Sequence, residues 1–159
     1  NPFARASNAT SPTIPVAPHL KQTSSLREML GVPGETPLRL QDLADKILRQ
    51  LEILGVLIVA EDGLLLTGRL PTGLDPLGWS SLTPQLFRKF DGEHQALAPG
   101  LPRRCFLEVG GYGFSLWHEQ GIHLVLCHRP EAIGREFEER GDALAHAIAL
   151  FCKKHGAAA

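Results

Sequence analysis

Leu40, Leu43, Ile47, Leu51 and Leu54 recur at helical spacing, while Gln41, Asp42, Asp45, Lys46 and Arg49 fill the opposite side. This pattern predicts an amphipathic helix with one buried stripe, stopped by Gly55. Val56-Leu57-Ile58-Val59 follows without alternation. A strand apolar on both sides must be covered on both faces. Glu61-Asp62-Gly63-Leu64 then supplies an Asp-Gly turn, and Leu64 to Thr67 returns as a second strand.

A second helix is predicted from Asp75-Pro76, where Asp caps and Pro suits the first turn. Its expected stripe is Trp79, Leu82, Leu86 and Phe90, with Phe87 at the edge, a break at Pro84 and closure at Asp91-Gly92. Residues 91–102 read as a loop ending in Pro99-Gly100-Leu101-Pro102. Three alternating strands follow: Arg104 to Val109, Tyr112 to His118 and Ile122 to His128, turned at Gly110-Gly111 and Gln120-Gly121. A closing helix carries Ile133, Phe137, Leu144, Ile148 and Phe151 on one face and a charged first half on the other, ending at Lys153-Lys154-His155. The order is α-β-β-α-β-β-β-α. Five strands joined mostly by hairpins make an antiparallel sheet of the α/β (α+β) class, with helices needed on both faces.

This pattern occupies residues 37–156, read as a single domain. Residues 1–36 differ: the first 24 hold four Pro, no Gly and no acidic residue. With few apolar groups to offset the entropy of ordering, that stretch reads as a flexible tether. A helical turn is expected near residues 25–30, with Leu26, Met29 and Leu30 as its apolar edge, either docked on the domain or offered to a partner; docking is the simpler reading. Asn1 in place of an initiator Met fits a fragment of something longer. The Asn8-Ala9-Thr10 sequon matters only in a secreted protein.

Composition narrows the function classes. The chain has 159 residues, 16 Lys+Arg against 17 Asp+Glu, and three Cys at wide spacing. A net charge near zero leaves no general field for nucleic acid, and the basic pairs Arg88-Lys89, Arg103-Arg104 and Lys153-Lys154 lack interleaved aromatics. No apolar run nears the roughly 20 residues of a membrane span, and no signal peptide is visible. Cys105, Cys127 and Cys152 read as reduced thiols in a cytoplasmic setting.

Candidate chemistry is sparse. His118 and His123 straddle a hairpin: a two-residue turn at Gln120-Gly121 makes them cross-strand neighbours able to share a metal with Glu119 or Cys127. A three-residue loop dissolves the pair, and ordinary strand histidines are the favoured reading. Gly110-Gly111-Tyr112-Gly113 resembles a phosphate loop only superficially, because a strand follows rather than a helix. Cys127, His128 and His146 assemble into a thiol site only on paper. No catalytic site and no cofactor is expected.

The ordered set of Leu54-Gly55-Val56-Leu57-Ile58-Val59, Glu61-Asp62-Gly63-Leu64, the Asp75-started helix, the glycine-turned strands from Arg104 to His128 and the closing helix resembles the roadblock/dynein light chain family. The resemblance spans roughly residues 38–155. It implies a small antiparallel α/β domain of profilin- or longin-like general shape that forms dimers and acts as a non-catalytic scaffold or regulator of Ras-like small GTPases or of a larger protein assembly. It also implies an interface built from the helix 76–90 and the strand starting at Arg104, with Trp79, Phe87, Arg88, Phe90, Arg104 and Phe106 as candidates. Helical spacing assigns Trp79 and Phe90 to the monomer core and leaves Phe87 for contact between copies. Arg69 and Arg88 are positional candidates for an arginine finger. The alternative is a small-ligand-sensing α/β domain with no GTPase partner.

Overall fold

The computed structural model describes residues 26–34, 37–50, 52–94 and 102–156, with residues 91–94 described by their backbone. The expected tether over residues 1–24 with its sequon, Ser25 of the expected helical turn, Leu51 and the Pro99-Gly100-Leu101 turn lie outside the described residues. A helical turn α1 (Leu26–Met29) and helix α2 (Leu40–Leu48) precede strands β1 (Ile53–Ala60) and β2 (Leu65–Arg69). Helix α3 (Pro76–His94) leads to β3 (Arg104–Val109), β4 (Tyr112–Glu119) and β5 (Ile122–His128). A 3-10 turn at Pro130–Ala132 then feeds helix α4 (Arg135–His155).

The five strands form one antiparallel sheet in the order β2-β1-β5-β4-β3. Register divides its side chains between two faces. Val56, Ile58, Trp117, Leu124 and Leu126 point one way, into a core shared with Leu43 and Ile47 of α2 and Ile148 and Cys152 of α4. Leu57, Val59, Phe114, Leu116, Val125 and Cys127 point the other way, where α3 covers them with Phe87 and Trp79. The unbroken Val56–Val59 run is thus buried on both sides, as its lack of alternation requires.

Three boundaries differ from the sequence pattern. Helix α2 stops at Leu48, and Ile53 and Leu54 already belong to β1. Gly55 is therefore a strand residue. A Cβ there would lie 2.9 Å from the Leu70 side chain and 3.1 Å from the Arg69 carbonyl, so glycine serves close approach rather than helix termination. Helix α3 runs through Asp91-Gly92 to His94, and the last helix begins after Ile133.

Helix α3 is also rotated relative to its apolar stripe. Its buried positions are Ser80, Thr83, Pro84 and Phe87. The hydroxyls are satisfied locally: Ser80 Oγ donates to the Gly63 carbonyl at 2.6 Å and Thr83 Oγ1 to the Trp79 carbonyl at 2.7 Å. With both donors engaged, burying them carries little penalty. Phe87 is 5% exposed, whereas Phe90 is 52% exposed and Leu82 39%. This reverses the expected roles: Phe87 is a core residue of the monomer and Phe90 a surface one.

Helix α4 is fixed by an interlock. The Trp117 indole lies against the helix at Gly141, where a Cβ would come within 2.1 Å of Cζ2. Its Nε1 donates to Asp142 Oδ1 at 2.7 Å. Glycine mid-helix costs about 1 kcal/mol relative to alanine, so here it provides a socket for the ring.

Candidate protein-interaction face

Helix α3 enters after Asp75, whose Oδ1 accepts the Leu77 amide at 3.1 Å and caps its first turn. It packs mainly over β2, β1 and β5. It reaches β4 through Trp79, whose indole stacks on Phe114 with ring centroids 3.8 Å apart and planes 17° off parallel. Beyond that contact Cys105 and Leu107 of β3 and Tyr112 of β4 are only partly buried. Leu82, Leu86 and Phe90 occupy the flank of α3 on the Trp79 side of its buried arc. Strand β3 is the sheet edge beside this surface and pairs with β4 alone among the described residues. Among the described residues the result is an apolar shelf bordered by an unpaired backbone edge, the arrangement most open to addition of another strand.

The β1–β2 turn and the β4–β5 hairpin meet under the middle of α3. Glu61, Pro84, Phe87, Arg88, Pro102, His118 and His123 line a cleft of about 260 Å³ there. His118 pairs across the hairpin with His123, because Gln120-Gly121 forms a two-residue turn with Gly121 at φ +80°. His118 Nε2 donates to Glu61 Oε1 at 3.0 Å. His123 Nδ1 is buried without a hydrogen-bond partner. Burial above all, then His118, pushes the His123 pKa down to about 4, with Glu61 opposing. The cross-strand pair exists, but among the described residues no group of three His, Cys, Asp or Glu is placed to hold a metal ion.

Comparison with known proteins bears on the whole domain. No protein-family model matches the sequence, and no curated protein matches it. Solved structures do. MglB from Myxococcus xanthus superposes with a TM-score of 0.62 at 14% identity, covering 72% of this chain and 87% of that one. An MglB in a tetrameric arrangement gives 0.63 at 14% identity, with 77% and 97% covered. A roadblock/LC7 domain from Streptomyces avermitilis gives 0.58 at 16% identity, with 74% and 98% covered. The domain has a roadblock-like fold.

Within this roadblock-like frame the six interface candidates do not lie together. Trp79, Phe87, Arg88 and Phe90 sit on α3, with Phe87 turned inward. Arg104 and Phe106 project from the opposite face of β3, toward α4. Arg104 approaches Glu138 at 3.6 Å and Asp142 at 3.5 Å, and Phe106 stacks against His128 with centroids 5.9 Å apart. The β3 residues on the α3 side are Cys105 and Leu107. Strand alternation determines this split, and counting from Trp117 through its partner Arg104 identifies it.

The remaining sequence motifs resolve into structure. Gly110 and Gly111 form the β3–β4 turn at φ +59° and +81°, so the glycine-rich stretch is a hairpin. Cys127 and His128 are neighbours in a strand and face opposite sides of the sheet. Burial pushes the Cys127 and Cys152 thiols up to about 11, away from nucleophilic use. His128 instead accepts from Ser115 Oγ through Nε2 at 2.8 Å, while its Nδ1 donates to the Arg129 carbonyl at 2.8 Å. That pair was not apparent in the sequence; the Ser115↔Leu126 register supplies the missing signal. Arg69 lies 3.2 Å from Asp45, both exposed. Among the described residues no helix is long and apolar enough to cross a membrane.

Proposed function

We propose that this chain is a non-catalytic, homodimeric scaffold or regulator that binds a Ras-like small GTPase in the cytoplasm, without a cofactor. The observation that carries the reading is the half of the α3 face that the described residues leave uncovered. Leu82 and Phe90 stand exposed beside partly buried Trp79, Cys105 and Leu107, and the β3 edge runs along the same side. A second copy related by a two-fold axis covers this shelf with its own α3 and closes the edge in one step. The paired helices then form a continuous platform for a folded partner, with Arg88 at its border. An interface of about 1,200–2,000 Å² is expected. The roadblock resemblance supplies the partner class.

Sedimentation at micromolar concentration tests the first half: a dimer supports the reading, and a purely monomeric 17.3 kDa species argues strongly against it. Capture of a small GTPase by the immobilised chain, in the presence of GTP or GDP analogues, tests the second. Nucleotide-dependent retention is the expected result.

A further inference from the structure

Two groups on the cleft beneath α3 have no partner among the described residues. His123 is 2% exposed, yet its Nδ1 makes no hydrogen bond there. Buried polar atoms are nearly always hydrogen-bonded, so an orphan of this kind asks for an explanation. Arg88, exposed on α3, enters no ion pair there either. Glu61 supplies the opposite charge from the β1–β2 turn. Both charges act on the His123 ring, Glu61 raising its pKa and Arg88 lowering it, so both lie close to it. They do not bridge each other, because Glu61 is engaged by His118 at 3.0 Å.

The carboxylate is well placed. The turn that carries it is closed by the Ala60 amide on the Leu64 carbonyl at 2.8 Å, and Ser80 of α3 pins it at Gly63. Burial keeps the His123 ring neutral at physiological pH. The cleft therefore offers one guanidinium, one carboxylate and one neutral ring nitrogen, beside apolar walls from Pro84, Phe87 and Pro102. Its volume of about 260 Å³ lies just below the roughly 300 Å³ of the smallest ordinary ligand pockets, which suits a single small metabolite rather than a nucleotide.

We propose that this cleft binds a free α-amino acid with an apolar side chain. The ligand's carboxylate forks onto the Arg88 guanidinium, its ammonium donates to Glu61 and to His123 Nδ1, and its side chain packs against Pro84, Phe87 and Pro102. A zwitterion matches the balanced charges of the site. Pro84, Phe87 and Arg88 lie on the other flank of α3 from Leu82, Leu86 and Phe90, so the site stands whether or not the chain dimerises through that shelf.

Titration of the full chain at neutral pH with L-phenylalanine or L-leucine, followed by the imidazole nitrogen resonances, tests the proposal. Saturable binding at millimolar concentration or below is expected, with the His123 Nδ1 resonance moving as it gains a hydrogen bond. Arg88→Ala and Glu61→Gln, both at exposed side chains, should each weaken binding about tenfold or more. N-acetylphenylalanine and phenylalaninamide each lack one of the two charges and should lose as much on the unmodified chain, a comparison that needs no variant to fold. No saturable shift with either amino acid, a His123 resonance that stays still while binding occurs, or equal binding of the blocked compounds overturns the proposal.

Discussion

The imidazoles of His118 and His123 stack across the β4–β5 hairpin, with ring centroids 4.7 Å apart and planes 16° off parallel. Phe87 tilts over both, at 5.6 and 5.4 Å. Two titratable rings thus share one apolar cover, and the inner one has no partner for a second N–H.

Acid should weaken the domain through this pair. His123 titrates near 6.5 when unfolded and about 4 when folded, so between those values the unfolded chain binds a proton that the native chain excludes. Its contribution is complete above pH 6.5 and lost as pH falls through 4, at roughly 3 kcal/mol in all. Urea midpoints from pH 7.5 to 4 should fall less steeply in His123→Leu than in the unmodified chain. Identical slopes would show that another group governs the acid limb.

Phe87 and Phe90 should respond in opposite ways. Phe87→Ala removes a buried ring and is expected to cost about 3–5 kcal/mol of stability. Phe90→Asp changes an exposed position, so stability should stay within about 0.5 kcal/mol while self-association weakens. Denaturation and sedimentation of the two variants separate the effects; loss of folding in Phe90→Asp would contradict the assignment of that face.

Gly141→Ala should destabilise although alanine is the better helix former. The gain of about 1 kcal/mol in propensity is opposed by a Cβ placed 2.1 Å from Trp117. Overpacking of that kind costs about 1–3 kcal/mol. The added loss of the Trp117–Asp142 hydrogen bond, about 1 kcal/mol, makes the sum unfavourable. A lowered thermal midpoint is the readout, together with a shifted indole fluorescence.

The three thiols should divide by accessibility. Cys127 and Cys152 are buried with pKa values near 11, whereas Cys105 is partly exposed on the edge strand, its pKa also raised by burial. A chromogenic disulfide reagent at pH 8 should label at most one thiol in the native chain and three after denaturation. Prompt labelling of all three would mean that the core is open.

The fold was legible because hairpin turns and apolar runs are local signals. Gly110-Gly111, Gln120-Gly121 and the unbroken Val56–Val59 each specify their own geometry. Pattern and structure part company where a tertiary contact decides the matter. Leu54 extends the helical period by coincidence, yet it lies in β1 beside Ile53, which pairs with His128 of β5. The face that α3 buries is hidden from the pattern because Ser80 and Thr83 resemble surface residues, and only the Gly63 and Trp79 carbonyls that accept from them make their burial possible. The interface candidates were split for a similar reason. Sequence names the residues of β3, but only register shows that Arg104 and Phe106 share a side with α4.

The central strand pair has a consequence for how the chain must be made. β1 finds β2 at once, yet its other edge waits for β5, which begins some 60 residues later in the chain. A nascent chain that has emerged only as far as α3 therefore exposes a strand apolar on both faces with one side unpaired. Pairings that distant in sequence form slowly. The stretch between synthesis of Ala60 and synthesis of His128 is the interval in which this domain is most open to aggregation and most in need of a chaperone.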